Sequence, residues 1–141
     1  MNLLSFGEII WDSYGDSYTI GGAPLNLAAH SAIQGGDAWL ASAVGNDVLG
    51  TRATEHIKAL GLKTDYVSVL DGLQTGECVV TLDEKSVPKY NILENVAYDQ
   101  ISLPVTLNQT FDVIAFGTLA LRSKQNVEAL ECILRNNTFG E

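Results

Sequence analysis

The chain has 141 residues, 46% hydrophobic and 18% charged, a balance that excludes a disordered segment and suits one domain or a piece of a larger one. Eight Lys and Arg against 17 Asp and Glu leave a formal charge of −9, which argues against a nucleic-acid backbone or an anionic membrane surface as partner. No apolar run is long enough to span a bilayer, and Met1–Leu4 reaches Glu8 without the basic start of a signal peptide, so a cytoplasmic protein is expected.

The elements follow in chain order. Leu3–Gly7 with Ile9–Trp11 reads as a first strand running to Asp12. Tyr14–Ile20 is a more polar extended piece between glycines. Leu25–Ile33 has helical spacing of apolar residues, with Pro24 suited to the first turn and Gly35-Gly36 as the stop. Ala38–Val44 is a second strand, Leu49–Leu60 a second helix ended by Gly61, and Tyr66–Val69 a short third strand. Thr75–Asp83 and Lys89–Glu94 read as an antiparallel hairpin around a polar loop. Val113–Phe116 is a fourth strand. Ser123–Arg135 is a third helix, with Ser123 as its expected cap and Val127, Leu130, Ile133 and Leu134 as its apolar stripe. Thr138-Phe139 resembles the start of another strand.

This alternation predicts an α/β fold: a partly parallel sheet covered by helices, with right-handed crossovers. The polar pieces, about 13–20 and 75–96, are expected to form a small antiparallel β-structure off the main sheet, a lid or a dimer contact. A parallel sheet that stopped after the third helix would leave an edge open, so the chain is expected to be the N-terminal part of a longer protein. Such a part is expected to fold marginally or to self-associate.

Several residues have side chains or backbone suited to ligand binding. Gly21-Gly22-Ala23-Pro24-Leu25-Asn26 leads from an extended segment into a helix. The glycines permit close approach of the backbone, the helix start offers free N–H groups, and the Asn26 amide both donates and accepts, which suits sugar hydroxyls. The same residues would also serve as a tight turn with Asn26 as a local cap. Asp12 sits at the end of the first strand, where ligands of open α/β sheets bind, or is a solvated turn residue. Glu8 reads as a mid-strand carboxylate paired with a backbone donor. Asp47 reads as a helix cap. Tyr90 and Ile92 fall on one face of the hairpin, to cover an apolar sugar face or to pack within it. Thr118 either touches a ligand or starts a turn. Cys78 and Cys132 lack metal spacing and read as reduced cysteines, and His30 and His56 read as structural. The spacing supports no zinc site, Ser-His-Asp set, dinucleotide fingerprint or P-loop.

Together, Gly21-Gly22-Ala23-Pro24-Leu25-Asn26-Leu27-Ala28, Gly36, Val44-Gly45-Asn46-Asp47 with Gly50, and Gly7-Glu8 with Asp12 resemble the N-terminal signature of the ribokinase-like, phosphofructokinase-B type carbohydrate kinases. Thr75-Gly76, Tyr90-Asn91-Ile92 with Glu94, Ala97-Tyr98-Asp99 and Gly117-Thr118-Leu119 are most similar to the bacterial fructokinase branch. The resemblance covers nearly the whole chain. It implies an ATP-dependent sugar kinase that uses Mg²⁺, with Asp12, Gly21, Gly22 and Asn26 at the sugar, Tyr90 and Ile92 on a lid over it, and Thr118 beside the pocket. It also implies a homodimer through the lid strands. The family's second signature, Gly-Ala-Gly-Asp, which supplies the catalytic base, does not occur here. The chain is therefore expected to hold the sugar side only, with ATP and Mg²⁺ bound mainly by a missing half and no kinase activity of its own. The alternative is a non-catalytic sugar-binding or dimerisation module.

Overall fold

The structure, a computed structural model, describes residues 1–104 and 106–137. In chain order the elements are β1 (Asn2–Phe6), β2 (Ile10–Tyr14), β3 (Ser17–Gly21), α1 (Ala23–Ile33), β4 (Asp37–Gly45), α2 (Val48–Ala59), β5 (Val67–Leu70), β6 (Gly76–Leu82), β7 (Pro88–Ile92), β8 (Val113–Phe116) and α3 (Lys124–Asn136). Two short 3-10 turns occupy Ala97–Gln100 and Ala120–Arg122. The expected strand at Thr138-Phe139 lies outside the described residues.

Consecutive apolar residues are what a strand needs when helices cover both its faces. β1 and β4 have that pattern and are the two central strands of a parallel sheet ordered β5-β4-β1-β8. Leu3, Leu40 and Val44 pack with Leu25 and Ala28 of α1 and Ala53 and Ile57 of α2. On the other face Leu4, Phe6 and Ala41 pack with Phe111 and with Leu130 and Ile133 of α3. Each large side chain so buried contributes about 1.5–3 kcal/mol.

The expected first strand is in fact two. Gly7, at φ 146°, turns the chain out of the parallel sheet, and the strand resumes at Ile10 in a different sheet. The apolar residues on either side of Gly7-Glu8 are buried, so the two halves read as one strand. Asp12 therefore stands within a second sheet, and Glu8 lies between strands. The expected extended piece Tyr14–Ile20 is a hairpin, with Tyr14 closing β2, a turn at Gly15-Asp16, and β3 beginning at Ser17.

The second sheet is ordered β3-β2-β6-β7. Its edges pair antiparallel, but its two middle strands, β2 and β6, run parallel. The chain passes between the sheets four times: at 7–9, at Gly22, at 71–75 and at 93–96.

Helix ends have local causes. Gly35, at φ 84°, follows α1, and Asp47 caps α2 by accepting from the Gly50 N–H at 2.7 Å. Ser123 stands at the cap of α3 but its side chain makes no capping bond. Of the expected stripe only Leu130 and Ile133 are buried, while Val127 and Leu134 are 36% and 38% exposed. The buried Asn126 does what the stripe does not. Its amide accepts from Ile101 N–H and donates to the carbonyls of Tyr98 and Ala120, tying α3 to both 3-10 turns.

Candidate functional site

Pairing register decides which side chains share a face. Across the second sheet Thr19, Asp12, Cys78 and Ile92 stand opposite one another in a row, one residue from each strand. Tyr90 lies two residues from Ile92, so it shares that face, as does Gly21. Asp12, Tyr90 and Ile92 are all exposed, Tyr90 at 68%. No lysine or arginine of the four strands lies on this face.

The face runs into the start of α1. A Cβ on Gly21 would lie 4.0 Å from Asp12 Oδ2, so the carboxylate reaches the end of β3. Gly22 follows, at φ 118°, and caps α1; a side chain there would also overlap the Glu8 carbonyl. Only glycine meets both conditions. Asn26 N–H donates to the Gly22 carbonyl at 2.9 Å, while the exposed Asn26 amide makes no hydrogen bond among the described residues. Its side chain is thus not a local cap. Ser5 Oγ donates to the Pro24 carbonyl at 2.8 Å and anchors the turn to the parallel sheet.

Thr118 follows β8. Gly117 packs against Pro24, which brings the end of β8 to the start of α1, and the Thr118 carbonyl accepts from Leu121 N–H as the turn begins. The fold therefore gathers Asp12, Gly21, Gly22 and Asn26 at one junction, with Thr118 next to it, and sets Tyr90 and Ile92 on the sheet face that holds Asp12. A cavity of about 590 Å³ lies elsewhere, between residues 103–104 and 106–110 on one side and α3 on the other.

Three buried titratable groups surround the junction. The Cys78 thiol is buried opposite Asp12, and burial together with the charge and hydrogen bond of Asp12 pushes its pKa up. The Tyr98 ring lies against Gly76 and its buried hydroxyl has no partner among the described residues; burial pushes its pKa up to about 12. Glu8 is buried, with Oε1 accepting from Ala23 N–H, and burial raises its pKa against that bond. Backbone pairing of Glu8 follows the sequence reading, although its position between strands does not.

Two networks brace the second sheet. Asp47 accepts from Thr75 N–H at 2.8 Å and Thr75 Oγ1 at 2.7 Å, and Thr75 Oγ1 accepts from Gly45 N–H. Burial works to raise the Asp47 pKa, but the bonds from Thr75, Gly50 and Leu49 outweigh it and hold the carboxyl below its usual range. Arg122 grips Asp99 with two bonds of 2.8 Å, donates to the Leu93 carbonyl just after β7, and stacks on Tyr98. His30 and His56 are exposed on their helices. Among the described residues no helix is long and apolar enough to cross a membrane.

Residues 5–139 match the family described as pfkB family carbohydrate kinase. No curated protein matches the chain. Among solved structures it is similar to a sugar kinase from Pyrococcus horikoshii in complex with ATP, at 23% identity and TM-score 0.81 over 94% of this chain and 48% of that one. A fructokinase from Halothermothrix orenii gives 20% and 0.79, over 96% and 54%. A fructokinase from Vibrio cholerae O395, bound to fructose, ADP and calcium, gives 19% and 0.73, over 96% and 48%. At these identities the likeness is one of fold, and the chain spans about half the length of the chains it matches.

Proposed function

The chain belongs to the pfkB family of carbohydrate kinases, and from that we propose that it forms the sugar-binding side of an ATP-dependent, fructokinase-like enzyme. The observation that carries this reading is the junction: an exposed carboxylate, an uncommitted amide and a glycine turn at a helix start, continuous with a sheet face bearing an aromatic and an aliphatic side chain. Asp12 accepts hydrogen bonds from sugar hydroxyls, and Asn26 both accepts and donates. Gly21 and Gly22 let the backbone approach the ring. Tyr90 and Ile92, on the sheet acting as a lid, cover the apolar face of the sugar, and Thr118 lines the rim. With no cation on that face, a neutral polyol suits it better than a phosphate.

The same donor set does not fit ATP or Mg²⁺. The face has one carboxylate, and among the described residues no three His, Cys, Asp or Glu are grouped to hold a metal ion. We assign both to the half of the kinase fold that this chain does not span, together with the catalytic base. The two free cysteines suit work in the reducing cytoplasm.

A second reading, self-association through the lid, is favoured by exposed Tyr14, Leu82, Tyr90 and Ile92 on one sheet face. One set of measurements tests both. Fructose titration followed by ¹⁵N–¹H NMR shifts the Gly22 and Asn26 amides, and Asp12→Ala weakens binding roughly 10–100-fold, the range for a hydrogen bond to a charged group. Sedimentation gives twice 15.1 kDa with or without that change. A coupled ATP assay with fructose shows no turnover from this chain. Absence of fructose shifts refutes the sugar reading, equal binding by Asp12→Ala refutes the role of Asp12, and turnover refutes the missing half.

A further inference from the structure

Glu8 is 4% exposed and lies where β1 leaves for β2. Its Oε1 accepts from Ala23 N–H at 3.2 Å, the first N–H of α1. Its backbone carbonyl lies against Gly22 so closely that any side chain on Gly22 would overlap it. One residue therefore grips two successive positions of the turn that presents Gly22 and Asn26.

The other carboxyl oxygen points to the reason a glutamate is there. Oε2 is buried and has no partner among the described residues; it faces Gly117, where a Cβ would lie 3.4 Å away. A buried oxygen without a partner destabilises a fold, and a leucine of similar size would fill the space without that penalty. Burial raises the Glu8 pKa, as expected for a carboxyl with no cation beside it. Stability alone would favour leucine, and what glutamate adds is the bond to Ala23.

We propose that Glu8 is a positioning residue for sugar binding: through the Ala23 N–H it holds the Gly21–Asn26 turn in the geometry that presents Gly22 and Asn26, and it lowers the stability of the fold in doing so. The inference rests on the sugar reading above. It is a case of local inconsistency kept for function.

The test compares Glu8→Leu and Glu8→Gln with the unaltered chain by thermal melting, Ala23 amide hydrogen exchange and fructose titration. Glu8→Gln keeps an oxygen for Ala23 N–H, and its fructose binding stays within about threefold. Glu8→Leu melts no lower, exchanges the Ala23 amide about tenfold faster, and binds fructose about tenfold more weakly, the change expected for one lost hydrogen bond. Equal fructose binding by Glu8→Leu overturns the proposal. So does a fall in melting temperature that accompanies the loss of binding, which would mark an ordinary structural role. Unchanged Ala23 exchange overturns the grip itself, with or without sugar. Fructose shifts absent from the unaltered chain overturn the sugar reading, and with it the purpose assigned to the grip.

Discussion

Replacing Asp47 by alanine removes the group that joins the start of α2 to the start of β6. Three bonds are lost. The cap on Gly50 N–H is worth about 1 kcal/mol. Thr75 is 2% exposed, so its N–H, left without an acceptor, costs about 1.5 kcal/mol. The Thr75 hydroxyl loses its acceptor for about 1 kcal/mol more, while still accepting from Gly45 N–H. The total is about 3.5 kcal/mol. With a urea m-value of about 2 kcal/mol per molar, the unfolding midpoint followed by circular dichroism falls by roughly 1.5–2 M. Asp47→Asn keeps one acceptor oxygen and falls by about half as much. The folded carboxyl lies below its usual range, so its contribution is present above the unfolded pKa and disappears as pH falls through the folded one. The gap between the unaltered chain and Asp47→Ala therefore narrows in acid, by about half, since the protonated carboxyl keeps one acceptor oxygen as Asp47→Asn does. A midpoint shift below about 0.5 M at neutral pH, or a gap as large in acid as at neutral pH, refutes the accounting.

Two further outcomes concern the packing under the second sheet. Gly76→Ala places a methyl group in the edge of the Tyr98 ring and 2.7 Å from the Ile9 carbonyl, which cannot turn aside. Urea unfolding shows a loss of about 1–3 kcal/mol, and a loss below about 0.5 kcal/mol would mean that the ring moves freely. Tyr98→Phe removes a buried hydroxyl that has no partner among the described residues, and stability rises by about 1 kcal/mol. A loss of stability would show that the hydroxyl is bonded.

The sequence made the parallel sheet legible because β4 is buried on both faces and α1 ends at glycine, signals that depend on neighbours in sequence alone. The Gly21–Asn26 turn and the Asp47 cap were legible for the same reason. The shared face of Tyr90 and Ile92 followed from their spacing of two. What failed was whatever depends on pairing. Apolar residues flank Gly7-Glu8 on both sides, at Leu3, Leu4 and Phe6 and at Ile9, Ile10 and Trp11, so the change of sheet at Gly7 read as one strand running on. The parallel pairing of β2 with β6 places Cys78 opposite Asp12 across 66 positions of sequence, a neighbour no local pattern reports. Thr75 as the partner of Asp47, and Asn126 as the tie between the 3-10 turns, were hidden in the same way. Ser123 illustrates the reverse case, a favourable cap residue whose side chain makes no capping bond.

The four passages of chain between the sheets have a mechanical consequence. A hairpin flap fixed along one side swings about a single axis. A panel fixed at four points has no such axis, and it shifts only if all four backbones yield at once. Here one passage turns on Gly7, one on Gly22 and one on Asn95 at φ 55°, while the fourth runs into the bonds around Thr75. Any shift of this sheet against the parallel one is then a small collective displacement, and stiffening any of the four mountings resists it as a whole.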